Sequence, residues 1–447
     1  MSDWKLTVGL EIHIELKTSS KMFCRCENDP FESKPNSNVC PVCYGLPGSL
    51  PVINKKAVEN VLVLGKALKA TIESSPFWAR KNYFYPDLPK AYQISQFHNP
   101  LVTDGLMTID GTDYHIARVH LEEDTAKLTH MDGKSLINYN RSGVPLMELV
   151  TRPDFHEAKT AARFCQELQR IVRSLGIAEA DMEKGQMRCE ANISVSQSEE
   201  LGTKVEVKNI NSFRSVEKAI EFEYNRQIEA LEKGEVIRQE TRSWVENKNM
   251  TASMRYKETS SDYRYFKEPD LPVLKIAEFE HAEAVLPEDK RANLKNAGIK
   301  DEYATLLVDK GLYEVTMDVA HMEPVVVVEV ANLLVSIEDY RNLDTQTQIQ
   351  LAKLRKEHGW TSAILNEVIE ELKSGKDIAE ITEQFASNGD GLDEIAQKVI
   401  TDNASAVTDY RAGKEQALNF LVGQLMKESK GKANIHQARE ILQNLLK

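Results

Sequence analysis

Four cysteines near the start of the chain fall into two pairs, Cys24 with Cys26 and Cys40 with Cys43, directly after a segment carrying Glu11, His13 and Glu15. Two close thiol pairs joined by a short loop can supply four thiolates to one tetrahedral Zn²⁺. The intervening residues include Asn28, Asp29, Pro30, Pro35, Asn36, Ser37 and Asn38, the turn formers that such a knuckle needs. With four protein ligands the site has no open position, so its role is structural and its formation contributes to folding. The alternatives are two disulfides or four unrelated buried thiols. The other two cysteines, Cys165 and Cys189, lie in apolar patterns.

A second chemistry sits on strands. From Leu6 to Leu16, alternation puts Leu6, Val8, Leu10, Ile12, Ile14 and Leu16 on one face and Glu11, His13 and Glu15 on the other. A Glu-x-His-x-Glu row of this kind is either a solvated sheet face or a metal-binding wall. In the stretch Met187 to Val195 the side chains of Arg188, Glu190, Asn192 and Ser194 oppose an apolar set, and Lys204, Glu206 and Lys208 oppose Val205 and Val207. His120-Leu121-Glu122-Glu123-Asp124 and Leu146-Met147-Glu148 add carboxylates, and Arg80, Lys81 and Lys90 add cations. Carboxylates with lysines and arginines are what a Mg²⁺-ATP site requires, oxygens for the hard cation and positive groups for the phosphates. No nucleotide loop accompanies them. Gly133-Lys134-Ser135 has Leu128 where a P-loop needs glycine, so ATP binding would use an open sheet cradle.

The elements that must position these residues change character along the chain. From Trp4 to about Pro269 short strand patterns alternate with turns and two clear helices, and after about Glu278 the pattern is almost wholly helical. The expectation is an α+β body with an α-helical tail. The first helix is expected to start with Asp154 as its N-cap and Glu157 three residues on, and to stop at Gly176. The second is expected from about Ser212 to Gly234, with Val216, Ile220, Tyr224 and Leu231 inward. A chain of 447 residues that is 41% hydrophobic forms two or three domains. The longest apolar run, Val325 to Val335, is broken by Glu329 and Asn332, and no basic stretch followed by an apolar one opens the chain, so a cytosolic protein without a membrane partner is expected. A net charge of -13 argues against indiscriminate coating of nucleic acid but leaves room for a local basic surface facing one RNA.

Several runs resemble the B-subunit family of bacterial aspartyl/glutamyl-tRNA amidotransferases. They are Val8-Gly9-Leu10-Glu11-Ile12-His13, Arg80-Lys81-Asn82-Tyr83-Phe84-Tyr85-Pro86-Asp87, Tyr92-Gln93-Ile94-Ser95-Gln96, His120-Leu121-Glu122-Glu123-Asp124, Lys208-Asn209-Ile210-Asn211-Ser212 and Asp262-Tyr263-Arg264-Tyr265-Phe266. In the tail the likeness extends to Ala417-Leu418-Asn419-Phe420-Leu421-Val422-Gly423-Gln424 and Lys430-Gly431-Lys432-Ala433-Asn434. The resemblance implies an antiparallel sheet cradle similar to glutamine synthetase and guanidino kinases over residues 1–279, a small helical domain over 280–344, and a helical tRNA-binding tail over 345–447.

It also implies the reaction. Glutamate on tRNA(Gln), or aspartate on tRNA(Asn), is phosphorylated by ATP at its side-chain carboxylate, and ammonia displaces the phosphate. Metal and phosphate roles map onto Glu11, His13, Glu123 and Glu148, with Lys81, Glu190 and Lys208 beside them. Glu190 stands where the family usually has aspartate, and the zinc cysteines are absent from some members. Lys414, Lys427, Lys430 and Lys432 give the tail a basic end for the tRNA. Ser19-Ser20-Lys21 superficially resembles the Ser-Ser-Lys of amidase-signature enzymes but lacks their Gly/Ser-rich loop and reads as a turn. The resemblance implies that the ammonia comes from a partner amidase A subunit, with a small C subunit clasping the two. The competing reading is a zinc-stapled tRNA-binding adaptor without an active site, which would tolerate loss of Glu11, His13 and Glu123.

Overall fold

A computed structural model describes residues 4–256, 263–279, 285–386, 392–429 and 435–446. The chain divides into two compact units, Met1–Pro287 and Glu288–Lys447.

The first unit contains β1 (Lys5–Glu15), α1 (Lys55–Ala67), β2 (Thr71–Ile72), β3 (Ala79–Asn82), β4 (Tyr92–Ser95), β5 (Val102–Ile109), β6 (Thr112–Glu123), β7 (Lys127–Met131), β8 (Lys134–Asn138) and β9 (Pro145–Thr151). It continues through α2 (Ala158–Ser174), β10 (Met187–Ser196), β11 (Val205–Ile210), α3 (Phe213–Glu232), β12 (Glu240–Val245), β13 (Met250–Tyr256) and β14 (Phe266–Lys267). A 12-stranded sheet runs β13-β12-β11-β10-β1-β9-β6-β4-β3-β14, with β5 added to β6 and β2 to β5. Its pairings are antiparallel except for β11 with β12, so the expected antiparallel cradle carries one parallel pair. β7 and β8 form a separate hairpin turning at Asp132 and Gly133, which both have positive φ, so Gly-Lys-Ser lies in a hairpin with no helix behind it to hold a phosphate.

The helices follow from what covers the sheet. Val8, Leu10, Ile12 and Ile14 of β1 are buried with Val58, Val61 and Leu62 of α1, Phe164, Cys165 and Leu168 of α2, and Val216, Ala219 and Ile220 of α3. All three helices therefore cover the apolar face, and the polar row of β1 lies on the other. Ser212 caps α3, its hydroxyl accepting the Ser215 amide at 3.1 Å. Asp154 does not cap α2. Phe155 is held extended by reciprocal backbone bonds with Val8, so the helix begins at Ala158, and the Asp154 carboxylate accepts the His115 amide at 2.9 Å instead. α1 was not expected. Its Val61-Leu62-Val63-Leu64 run has a strand's composition, yet Asn54 caps it and Gly65 lets it approach β5 so closely that a Cβ there would lie 2.7 Å from Val102.

The second unit is helical throughout its described residues: α4 (Pro287–Asn296), α5 (Asp301–Asp309), α6 (Tyr313–Met322), α7 (Val327–Ser336), α8 (Thr345–His358), α9 (Ser362–Lys373), α10 (Ile378–Ala386), α11 (Leu392–Asp402), α12 (Ala404–Arg411), α13 (Glu415–Glu428) and α14 (Ile435–Leu446). It has two apolar cores, one from Leu294 to Phe385 and one from Leu392 to Leu446. Residue 344, where the sequence suggested a division, falls inside the first, because Val330 and Leu334 of α7 share it with Ile349 and Leu351 of α8. The Val325 to Val335 run supplies most of α7, and among the described residues no helix is long and apolar enough to cross a membrane.

Candidate active site

The open face of the sheet is assembled by register. In the pairing of β1 with β10, Glu11 lies opposite Glu190 and His13 opposite Arg188; in that with β9, His13 lies opposite Glu148. β6 then sets His120 against Glu148. Residues far apart in sequence thus become neighbours across three strands. His13 Nε2 is 3.4 Å from both a Glu122 and a Glu148 oxygen, and His120 Nε2 is 3.6 Å from Glu148 and 3.9 Å from Glu122. Glu11, His13 and Glu148 form one trio of ligand atoms within 4.8 Å of each other, and His120, Glu122 and Glu148 form a second that shares Glu148. Glu11, Glu190 and Glu206 make a third, with Lys208 Nζ 2.9 Å from Glu190. A bulge between β10 and β11 places Asn209 at φ 61° and sets Lys208 beside this trio.

Electrostatics follow from crowding these groups in a half-dry site. Burial and then Glu148 and Glu190 push the Glu11 carboxyl up to about 7. Burial disfavours a charged His13, but hydrogen bonding to Glu122 and Glu148 outweighs it and holds the imidazole well above 6.5. Glu148 stays well below the usual carboxylate range against its own burial, through His120, His13 and Arg118. Burial drives His120 toward its neutral form, so the compensating charge rests on His13 and Arg118. Both buried ring nitrogens of His120 lack a hydrogen-bond partner. An orphaned imidazole among convergent carboxylates fits a hard divalent cation, whose ligands are oxygens and neutral imidazole nitrogens.

The structure brings Glu11, His13, Glu148, Glu190 and Lys208 together, and Lys81 joins them from β3. Its ammonium lies 4.9 Å from the Tyr263 ring centroid and is raised, against burial, by Glu122, Tyr265 and Glu148. Glu123 does not join them. Alternation along β6 puts it on the apolar side with Val119 and Leu121, where it pairs with Lys90 and accepts the Ile94 amide at 3.0 Å. The carboxylate facing His13 is Glu122. Parity alone could have indicated this, since His120 and Glu122 share a face. Arg80 is likewise engaged elsewhere, bidentate to Glu268 at 2.6 and 2.8 Å. Glu206 was visible only as part of the alternation around Val205 and Val207, and half-buried Arg118, 3.3 Å from Glu148, was not singled out, since no local pattern distinguishes it.

The four cysteines converge as well. Cys43 Sγ lies 3.6 Å from Cys24, 3.7 Å from Cys40 and 3.8 Å from Cys26. Tetrahedral thiolates about 2.3 Å from a zinc ion lie about 3.8 Å apart, and these sulfurs are too distant for disulfides. The Cys43 thiol is held down to about 4, first by its hydrogen bond with Cys24 and also by Lys21, with burial opposing. In the tail, Lys414 at the start of α13 is 2.9 Å from Asp409, and Lys427 lies in the helix's last turn. Lys430 and Lys432, like Asp262, lie outside the described residues.

Comparison with known proteins places this arrangement. Residues 6–281 match the family described as the GatB/GatE catalytic domain, and residues 317–446 match the GatB domain. The chain is 40% identical to the B subunit of the aspartyl/glutamyl-tRNA(Asn/Gln) amidotransferase of Roseiflexus castenholzii, covering 99% of each protein. It is 40% identical to that of Persephonella marina, covering 100% of both, and 41% identical to that of Carboxydothermus hydrogenoformans, covering 100% of this chain and 99% of the relative. With its sheet unit and its helical tail both matched, and identity sustained from end to end, the chain belongs to the B-subunit family of aspartyl/glutamyl-tRNA amidotransferases.

Proposed function

We propose that this chain is the kinase and amidation subunit of a glutamine-dependent tRNA amidotransferase, activating the side-chain carboxylate of Glu-tRNA(Gln), Asp-tRNA(Asn) or both with ATP. The observation that carries the reading is the convergence of His13, Glu122 and Glu148, with Glu11 and His120 beside them, between Lys81 on one side and Lys208 on the other. A carboxylate is a poor electrophile, and transfer of a phosphoryl group from ATP supplies the leaving group that ammonia can displace. Glu11, His13, Glu122 and Glu148 would hold Mg²⁺, which when bound neutralises charge on the phosphate oxygens. His13 serves there as a neutral ligand, so it gives up the proton that its two carboxylate neighbours otherwise retain. Lys81 and Lys208 remain charged at neutral pH and would offer positive charge to the phosphoryl oxygens, while Glu190 fixes the Lys208 ammonium.

Ammonia comes from a partner amidase A subunit held with a small C subunit, and the complex works in the cytoplasm. The cysteine set holds a structural Zn²⁺, and the tail with Lys414 and Lys427 contacts the tRNA backbone. The test is γ-phosphate transfer from ATP by the reconstituted complex with Mg²⁺ and Glu-tRNA(Gln), Asp-tRNA(Asn) or uncharged tRNA. Release dependent on a mischarged tRNA supports the reading and names the substrate. Binding of tRNA without ATP turnover would leave only the adaptor.

A further inference from the structure

Lys21 is fully buried. Its ammonium donates to the Asn38 carbonyl at 3.0 Å, lies 3.4 Å from Cys43 Sγ, and reaches the Tyr139 carbonyl at 3.5 Å. Among the described residues no carboxylate lies within ion-pair distance of it. A lysine removed from water normally retains its charge only where a counter-charge accompanies it. The phosphoryl-transfer site does not use this residue, and the Ser-Ser-Lys resemblance gives it no amidase role, because its ammonium points into the cysteine cluster.

Four cysteinates around one Zn²⁺ carry two more negative charges than the metal neutralises. Cys43 is the sulfur within reach of the other three and the one that Lys21 touches. We infer that Lys21 is the charge-compensating residue of the four-cysteine metal site, its buried ammonium against Cys43 offsetting the excess negative charge of the loaded cluster and thereby setting zinc affinity. This rests on the zinc reading above. The lysine also ties the site to the sheet. Asn38, whose carbonyl it holds, donates its amide to Asn140, and Ser142 donates to the Cys43 carbonyl, so the knuckle clamps the segment that leads into β9 and Glu148.

Charge and packing roles differ in which form of the protein they touch. Lys21→Met, close in volume and uncharged, removes the charge offset and should weaken zinc and destabilise the loaded chain, whereas lost packing would destabilise the metal-free and loaded chains alike. The full chain and the variant are titrated with zinc against a chromophoric chelator, and thermal unfolding of each is followed with and without metal. The expected result is zinc affinity about 10- to 100-fold weaker in Lys21→Met, with the midpoint lowered more in the loaded chain than in the metal-free one. Equal zinc affinity, or a midpoint lowered in the metal-free form as much as in the loaded one, overturns the inference. A wild-type chain that takes up no zinc overturns the zinc reading and this role together. Should Lys21→Met fail to fold with zinc present, Lys21→Arg decides: restored zinc binding upholds the charge role, and failure of that variant as well assigns Lys21 to packing.

Discussion

Exchanging Glu122 or Glu123 for glutamine separates two adjacent carboxylates by the face on which each lies. Glu123 is 4% exposed in its side chain, against 12% for its partner Lys90, and it also accepts the Ile94 amide. Breaking a buried ion pair by removing one partner costs about 3–5 kcal/mol. Glutamine retains one acceptor oxygen and so keeps one of the two contacts, which places Glu123→Gln near about 3 kcal/mol. For a unit of the size of Met1–Pro287 that is a fall in Tm of about 6 °C. Glu122 contacts the imidazoles of His13 and His120 at 3.4 and 3.9 Å and, among the described residues, makes no close ion pair like that of Glu123 with Lys90, and Glu148 still faces His13, so Glu122→Gln should cost less in stability than Glu123→Gln in the metal-free chain. Its effect is on the cation. Loss of a supporting hydrogen bond at a metal site costs about 10- to 100-fold in affinity, and loss of a charged ligand should exceed that, so at least about 100-fold is expected. Mn²⁺ binding followed by electron paramagnetic resonance, with thermal unfolding of the same samples, reads both effects. Glu123→Gln losing Mn²⁺ at an unchanged Tm, with Glu122→Gln binding as wild type, would refute the assignment of faces.

Three further outcomes are expected. Burial and then Asp124 raise Glu15 from 4.5 to about 7, so its contribution to stability, about 3 kcal/mol, is present below pH 4.5 and lost as pH rises through 7; Glu15→Gln should flatten the fall in urea-unfolding free energy between pH 5 and 8, and an unchanged slope would count against it. A chain ending at Asp344 loses Ile349, Leu351, Ala352 and Trp360 from the first helical core and should leave that unit unfolded by circular dichroism, whereas one ending at Ala386 should keep it. Replacing Lys414 and Lys427 by alanine should weaken tRNA binding and reduce the slope of log affinity against log salt by about 0.7 to 0.9 for each phosphate contact removed, and an unchanged slope would exclude the tail lysines from the interface.

Strand content, the apolar and polar faces of β1 and β10, the approximate ends of α3, the cysteine pairs and the all-helical end are properties of local pattern, and the sequence by itself determined them. Period-2 alternation decides which side of a strand each residue takes, and a knuckle of closely spaced thiols needs little else. The family likeness was legible for the same reason, since its runs are contiguous. α1 was hidden because β-branched and leucine residues suit a buried helix as well as a strand, and only its seat against β5 decides between them. Asp154 has an N-cap's chemistry, but a bridge from Phe155 to Val8 claims the backbone where the helix would start.

What only the tertiary structure decided is which polar residues meet. Register between β1, β6 and β9 selects Glu122 over Glu123 and adds His120. Lys90 and Arg80, equally good phosphate ligands by composition, are drawn off to Glu123 and Glu268. Lys21 reads as a turn residue until the chain folds over it. These contacts join residues tens to nearly two hundred positions apart, and no spacing in the sequence encodes them; they exist because a one-residue shift in strand pairing would carry every side chain to the other face, and burial of the apolar face allows only one register.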